Sequence, residues 1–242
     1  MKKFSVLGIC IAFLLVVGQV AFAGWPGGSW KTAVVATDDT VHQNESSATL
    51  SGNKWTIIAA GHDIWGEADQ FMFAYKEVTG DFDVMCTVHT LDGSMNEWAK
   101  AGIMARSDLT PGSMNVIAAC RGLDDLITFQ RREAADGASA SERITPDGAP
   151  RPVTLRLTRT GTVFEGGWSL DGGATWKDNI SNDGVSPTSP IDLDLGSPAL
   201  LGIAVTSHEI GVLTIAEVEI HGDATAVRPE EKLAGTWGAL KR

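Results

Sequence analysis

Tyrosine is almost missing from this chain, with one residue in 242 against eight Trp and eight Phe. Cysteine is scarce too. Three residues, Cys10, Cys86 and Cys120, are too few for a disulfide scaffold, and their spacing fits no zinc ribbon. The five histidines, His42, His62, His89, His208 and His221, show no i,i+4 or His-x-His spacing, which excludes a recognisable transition-metal motif. There is no Gly-x-Ser-x-Gly elbow, no phosphate-binding Walker loop and no dinucleotide fingerprint. Basic residues are in deficit, 19 Lys and Arg against 30 Asp and Glu, for a formal charge of −11. Such a surface repels phosphate backbones and anionic lipid, so nucleic acid and membrane surfaces are poor partners. A charged fraction of 20% beside 43% hydrophobic residues excludes wholesale disorder.

What is present starts with an export signal. Lys2 and Lys3 precede an apolar run from Val6 to Val17, and Ala21-Phe22-Ala23 follows as a small-x-small cleavage site before Gly24. The run is short for a membrane span, and no other segment is apolar enough, so the mature chain is expected to carry no span. Residues 1–23 therefore read as a signal peptide, and the protein as exported, extracellular or periplasmic. Cys10 leaves with the signal.

The rest alternates with period two between turn clusters. Val153-Thr154-Leu155-Arg156-Leu157-Thr158 alternates strictly, as do Phe82 to His89 and Glu217 to His221. Further strands are expected at 70–76, 99–106, 114–120, 126–132, 162–170 and 201–205. Turns stand at Thr79-Gly80-Asp81, Asp92-Gly93-Ser94, Pro111-Gly112, Thr160-Gly161 and Asp171-Gly172-Gly173. Many antiparallel strands at about 10-residue spacing define an all-β sandwich or barrel. Residues 24–39 form a lead-in, 40–222 the sandwich, and 223–242 a tail in which Pro229 opens a short helix. The Ala/Ser/Gly-rich stretch 133–150 reads as a long loop. Taking 83–89, 99–106 and 114–120 as consecutive meander strands puts Cys86 and Cys120 two strands apart, beyond disulfide reach.

The most distinctive string is GHDIWGEADQFMFAYKEVTGDFDV, residues 61–84. It is followed in order by WAKAGIMARSDLTPGS (98–113), ITFQRR (127–132) and LRLTRTGTVFEGGWSLDGGATW (155–176). Over about residues 40–222 this order resembles the concanavalin A-like domains named for enolase regulation, which also resemble the C-terminal domains of β-xylosidases. The resemblance implies a jelly-roll sandwich of two antiparallel sheets, of a kind often appended to carbohydrate-active enzymes. Ser169 to Trp176 also looks like one Asp box. One copy makes no propeller, and the turn chemistry of Asp171 and the glycines accounts for it.

Sandwich glucanases of this fold carry a Glu-x-Asp-x-x-Glu strand, which does not occur here. Asp81/Asp83, Asp192/Asp194 and Glu217/Glu219 each place two carboxylates on one strand face, because i and i+2 share a side. They are candidates for glycoside acid–base work but read better as turns or a solvated face. No catalytic residue is assigned. No cofactor is required. The one ion to consider is calcium, for which Asp63, Asp69, Asp81, Asp92, Asp124 and Asp125 supply carboxylates near turns without the EF-hand pattern.

Alternation also defines a face. With Ala99, Ala101, Ile103 and Ala105 inward, Lys100, Gly102, Met104 and Arg106 point the other way. With Ile127 and Phe129 inward, Thr128, Gln130 and Arg132 share that opposite side. On a concave sheet, Lys100, Arg106, Gln130 and Arg132 would line one groove, with Trp65 and Trp98 in the turns at its rim. Indoles stack on sugar C–H faces, and Lys, Arg and Gln bond hydroxyls or a carboxylate. The expected function is a non-catalytic carbohydrate-binding module whose partner is a glycan or polysaccharide. The alternatives are a glycoside hydrolase with an unrecognised carboxylate pair, or a surface adhesion or structural protein attached through the C-terminal tail.

Overall fold

The computed structural model describes residues 24–36, 45–144, 148–178 and 190–222. The signal and the tail expected at the two ends lie outside this set. Fifteen strands follow in chain order: β1 (Lys31–Val35), β2 (Ser47–Ser51), β3 (Lys54–Gly61), β4 (Phe71–Val78), β5 (Phe82–Asp92), β6 (Lys100–Arg106), β7 (Asn115–Arg121), β8 (Ile127–Arg132), β9 (Ser139–Ile144), β10 (Val153–Thr160), β11 (Val163–Ser169), β12 (Lys177–Asp178), β13 (Ile191–Asp192), β14 (Ala199–Thr206) and β15 (Glu209–His221). One sheet has the order β1-β4-β14-β6-β7-β8-β9. The other runs β12-β11-β10-β5-β15-β3-β2, with β13 beside β11. Every pairing is antiparallel. The protein is an all-β jelly-roll sandwich of two antiparallel sheets. Among the described residues no helix is long and apolar enough to cross a membrane.

Period-two alternation builds the core between the sheets. Ala101, Ile103, Ala105, Val116, Ala118, Ile127, Phe129 and Ile203 come from one sheet. They meet Val84, Val88, Leu155, Leu157, Phe164, Val218 and Ile220 from the other. Each fully buried aliphatic or aromatic side chain contributes about 1.5–3 kcal/mol. The Asp box closes its own hairpin. Asp171 accepts from the Ser169 hydroxyl at 2.6 Å and from the Thr175 amide at 2.8 Å, and these bonds hold its carboxyl down at about 2.

Two expectations need correction. The meander premise fails, because β5 belongs to one sheet while β6 and β7 belong to the other. Cys86 and Cys120 both lie in the core between the sheets, and both are free thiols. Burial pushes both thiols up, Cys120 to about 11. The 133–150 loop is also not all loop. β9 pairs with β8 from Ile127↔Ile144 to Arg132↔Ser139, so small polar residues extend the sheet edge.

The sheet containing β6 and β7 departs from ordinary sandwich alternation. A solvated outer face would leave every second residue exposed, yet β6, β7 and β14 are buried at every position. The cover is the loop between β3 and β4, residues 62–70. Its Ile64 packs with Phe71, Phe73, Met104, Ile117 and Ala119 in a second apolar cluster on this outer face. Gly61 sets the loop's entry. It adopts φ +135°, and a Cβ there would lie 2.1 Å from the Gln70 carbonyl oxygen, so the loop's two ends close against each other. The Thr206 hydroxyl bonds both the Gly61 and Gln70 carbonyls, at 3.2 and 3.0 Å.

Candidate functional site

The face that alternation singled out is this covered one, and the loop divides it. On one side lies a lock around Asp69. Arg132 grips the carboxylate with two bonds, Nη2 to Oδ1 at 2.6 Å and Nη1 to Oδ2 at 2.8 Å. Arg106 Nη1 and Asn115 Nδ2 add bonds to Oδ2 at 3.4 and 3.3 Å. The remaining guanidinium donors go to backbone carbonyls, to the Ser139 hydroxyl at 3.3 Å and to the Met104 sulfur at 3.6 Å. Arg106 donates to Asp108 and Thr110, and Arg132 to Trp65, Gly66, Pro111, Ser113 and Gly137. Arg106, Arg132 and Asp69 are all at 0% exposure. Burial pushes the Asp69 carboxyl up, opposed by Arg132 and Arg106. Burial brings Arg106 down to about 10, still charged at neutral pH.

The expectation that Arg106 and Arg132 line a ligand groove is therefore corrected. They share the expected face, but their donors are used to tie the 62–70, 108–113 and 137–139 segments to the sheet. The alternation reading was blind to the loop that supplies Asp69.

On the other side of the loop the face opens into a cleft of about 410 Å³. Trp65, Trp98, Lys100 and Gln130, the other four expected residues, line it together with Asp63, Arg121, Thr128, Ser141 and His208. The two indoles are 41% and 40% exposed at its rim. Trp98 is held from one side by Arg121, whose guanidinium carbon lies 3.6 Å from the ring centroid. Contact at this range between a cation and an indole face is attractive and orients the ring. Arg121 is itself held by Asp124 at 2.6 Å and by the Glu97 carbonyl at 3.3 Å.

The floor is polar and buried. Lys100, Thr128 and Gln130 are 0%, 3% and 3% exposed. Lys100 Nζ makes a short bond to Asp63 Oδ1, and Asp63 Oδ2 lies 3.2 Å from His208 Nε2. Burial pushes the Asp63 carboxyl up. The His208 contact and Lys100 outweigh it and hold the group below its ordinary value. Burial likewise lowers the Lys100 ammonium, with Asp63 opposing. Because ionised Asp63 only accepts, His208 Nε2 is the donor between them. Thr128 and Ser141 hydroxyls bond each other at 2.9 Å. The Gln130 amide oxygen is buried with no hydrogen-bond partner among the described residues, as is His208 Nδ1.

Sequence reasoning passed over Arg121 and His208 as site residues and weighed Asp63 only as a calcium ligand. Arg121 was findable, since Val116, Ala118 and Cys120 inward put it on the face of Lys100. His208 gave no signal, because only the β14–β15 turn brings it from over a hundred residues away.

Five of the six paired carboxylates take structural roles. Asp83 grips Arg156 at 2.8 and 2.6 Å. Asp81 accepts from the Gly161 amide, Asp192 from the Thr162 hydroxyl and Asp194 from the Gly196 amide. Glu219 bonds His89 and Asn53. None of these lines the cleft. Several of the turn carboxylates have protein partners. Asp63 and Asp69 face cations, Asp124 and Asp125 pair with Arg121 and Arg151, and no three metal-ligating side chains converge among the described residues.

No protein-family model matches the chain, and no curated protein matches it in sequence. Solved structures share the fold. A functionally unknown protein from Saccharomyces cerevisiae superposes with a TM-score of 0.54 at 21% identity, over 72% of this chain and 89% of that one. Carbohydrate-binding module CBM66 from Bacillus subtilis gives 0.43 at 13% identity, over 82% and 97%. A GH43 protein, BlXynB from Bacillus licheniformis, gives 0.45 at 12%, over 69% of this chain and 32% of that one.

Proposed function

We propose that the protein is an exported carbohydrate-binding module and that its ligand sits in the cleft between Trp65 and Trp98. The observation that carries this reading is the pairing of two exposed indoles with a buried polar floor. A sugar presents apolar C–H faces and equatorial or axial hydroxyls, and this site offers ring faces for the first and Lys100, Thr128 and Gln130 for the second. Planar stacking supplies affinity, and the floor groups orient the ring. A glycoside hydrolase would need two carboxylates facing each other about 5–10 Å apart. Asp63 is the one carboxylate among the described residues that lines the cleft, and it is committed to Lys100 and His208.

The reading includes residues 1–23 as the export signal, 24–39 as the lead-in and 40–222 as the binding domain. It takes residues 223–242 as the segment through which the module attaches to a cell surface. A glycan array on the mature chain tests the binding reading. Retention of one or more glycans, abolished in the Trp98→Ala variant, is the expected result. An array with no retained glycan, at neutral pH and with calcium added, rejects it in favour of adhesion without sugar binding.

A further inference from the structure

We infer that the cleft selects uncharged, hydroxyl-rich sugars and discriminates against uronates, with Asp63 and Gln130 setting that choice. This inference rests on the carbohydrate-binding reading and adds the class of ligand. Each cation at the site already faces an anion. Lys100 is paired with Asp63, and Arg121 with Asp124, with Glu97 at 3.9 Å. A ligand carboxylate bonded to the Lys100 ammonium would share that cation with the Asp63 carboxylate, and the two like charges repel in a poorly solvated site. The chain's overall charge of −11 adds long-range repulsion of acidic ligands.

What remains unspent in the cleft is hydrogen bonding. The Lys100 ammonium carries three donors, and Asp63 takes one of them. The Gln130 amide oxygen, on a residue 97% buried, takes no donor at all. An unpartnered buried acceptor asks for a ligand that donates. Sugar hydroxyls do both jobs, since one can accept from Lys100 while another donates to Gln130. A carboxylate accepts only, so it brings no donor to the Gln130 amide oxygen. Lys100 lies on β6 and Gln130 on β8, two strands apart, so they address the sugar from opposite sides of the floor.

The test is titration calorimetry of the mature protein. Neutral glucan and xylan oligosaccharides are compared with oligogalacturonates of matched length at low ionic strength. The expected result is heat from at least one neutral series and at least tenfold weaker binding of oligogalacturonate. Asp63→Asn frees Lys100 and should raise oligogalacturonate affinity by tenfold or more, a gain that misfolding cannot produce. Gln130→Leu should weaken the neutral ligand by tenfold or more, while Gln130→Glu, still an acceptor, should weaken it less. Equal or tighter binding of oligogalacturonate by the native protein overturns the inference and leaves the carbohydrate reading standing. No heat from either series overturns both.

Discussion

The two halves of one sheet face, separated by a single loop, treat buried charge in opposite ways. Around Asp69, each guanidinium nitrogen shown reaches a carboxylate or a backbone carbonyl, and nothing is left for a ligand. Around Lys100 the same kinds of residue, equally buried, leave donors and an acceptor unused beside an open cleft. Burial of a charged side chain therefore does not mark a functional group. What separates the halves is whether its hydrogen-bonding capacity is filled.

The sharpest way to break this contrast is to remove the centre of the lock. Asp69→Ala strands two buried guanidiniums and should cost about 3–5 kcal/mol in urea unfolding, a large share of the roughly 5–15 kcal/mol typical of a domain. A loss below about 1 kcal/mol would mean the lock is not holding the loop. Arg132→Leu should show the same signature, reduced stability, and where the variant remains folded its glycan affinity should change less than in the cleft variants.

The cleft should respond in reverse. Trp98→Ala removes a rim indole, with an expected affinity loss of about 2 kcal/mol, or some thirtyfold. Its stability should fall by about 1 kcal/mol through the lost Arg121 contact. Calorimetry and thermal melts on the same sample separate the two effects.

Acid should probe the Asp63 pair more gently. Its folded-state carboxyl titrates below its unfolded value. The stability it contributes is therefore present above the unfolded pKa and lost as pH falls through the folded one. Asp63→Asn should flatten that part of the acid limb, as read from unfolding midpoints between about pH 5 and 2. The smallest effect is expected on the other sheet. Glu219→Ala breaks contacts to His89 and Asn53 at 3.0 and 2.9 Å, and should cost about 0.5–1 kcal/mol with no change in glycan binding.

Much of this was legible in the residues because strand alternation is local. The inward set Ala101, Ile103, Ile127 and Phe129 follows from period two, and with it the shared face of Lys100, Arg106, Gln130 and Arg132. Which of those four border the cleft depends on non-local partners. Asp69 reaches Arg132 from 63 positions away, and Asp63 reaches Lys100 from 37. Nothing in the spacing of those residues encodes the path of the loop. β1, β2 and β3 escaped notice, although Gly52 and Asn53 mark the turn between β2 and β3. β9 did so because Ser139, Ala140 and Ser141 are poor strand formers that pair at the sheet edge.

The most direct test of the central claim is a glycan titration followed by the tryptophan indole N–H resonances in a two-dimensional NMR spectrum. A glycan retained on the array should shift the indole signals of Trp65 and Trp98, which line the cleft. Those of Trp25, Trp55 and Trp168, buried at 2%, 4% and 3% exposure away from it, should stay in place. Shifts confined to indoles other than Trp65 and Trp98 would place the ligand elsewhere and contradict the account.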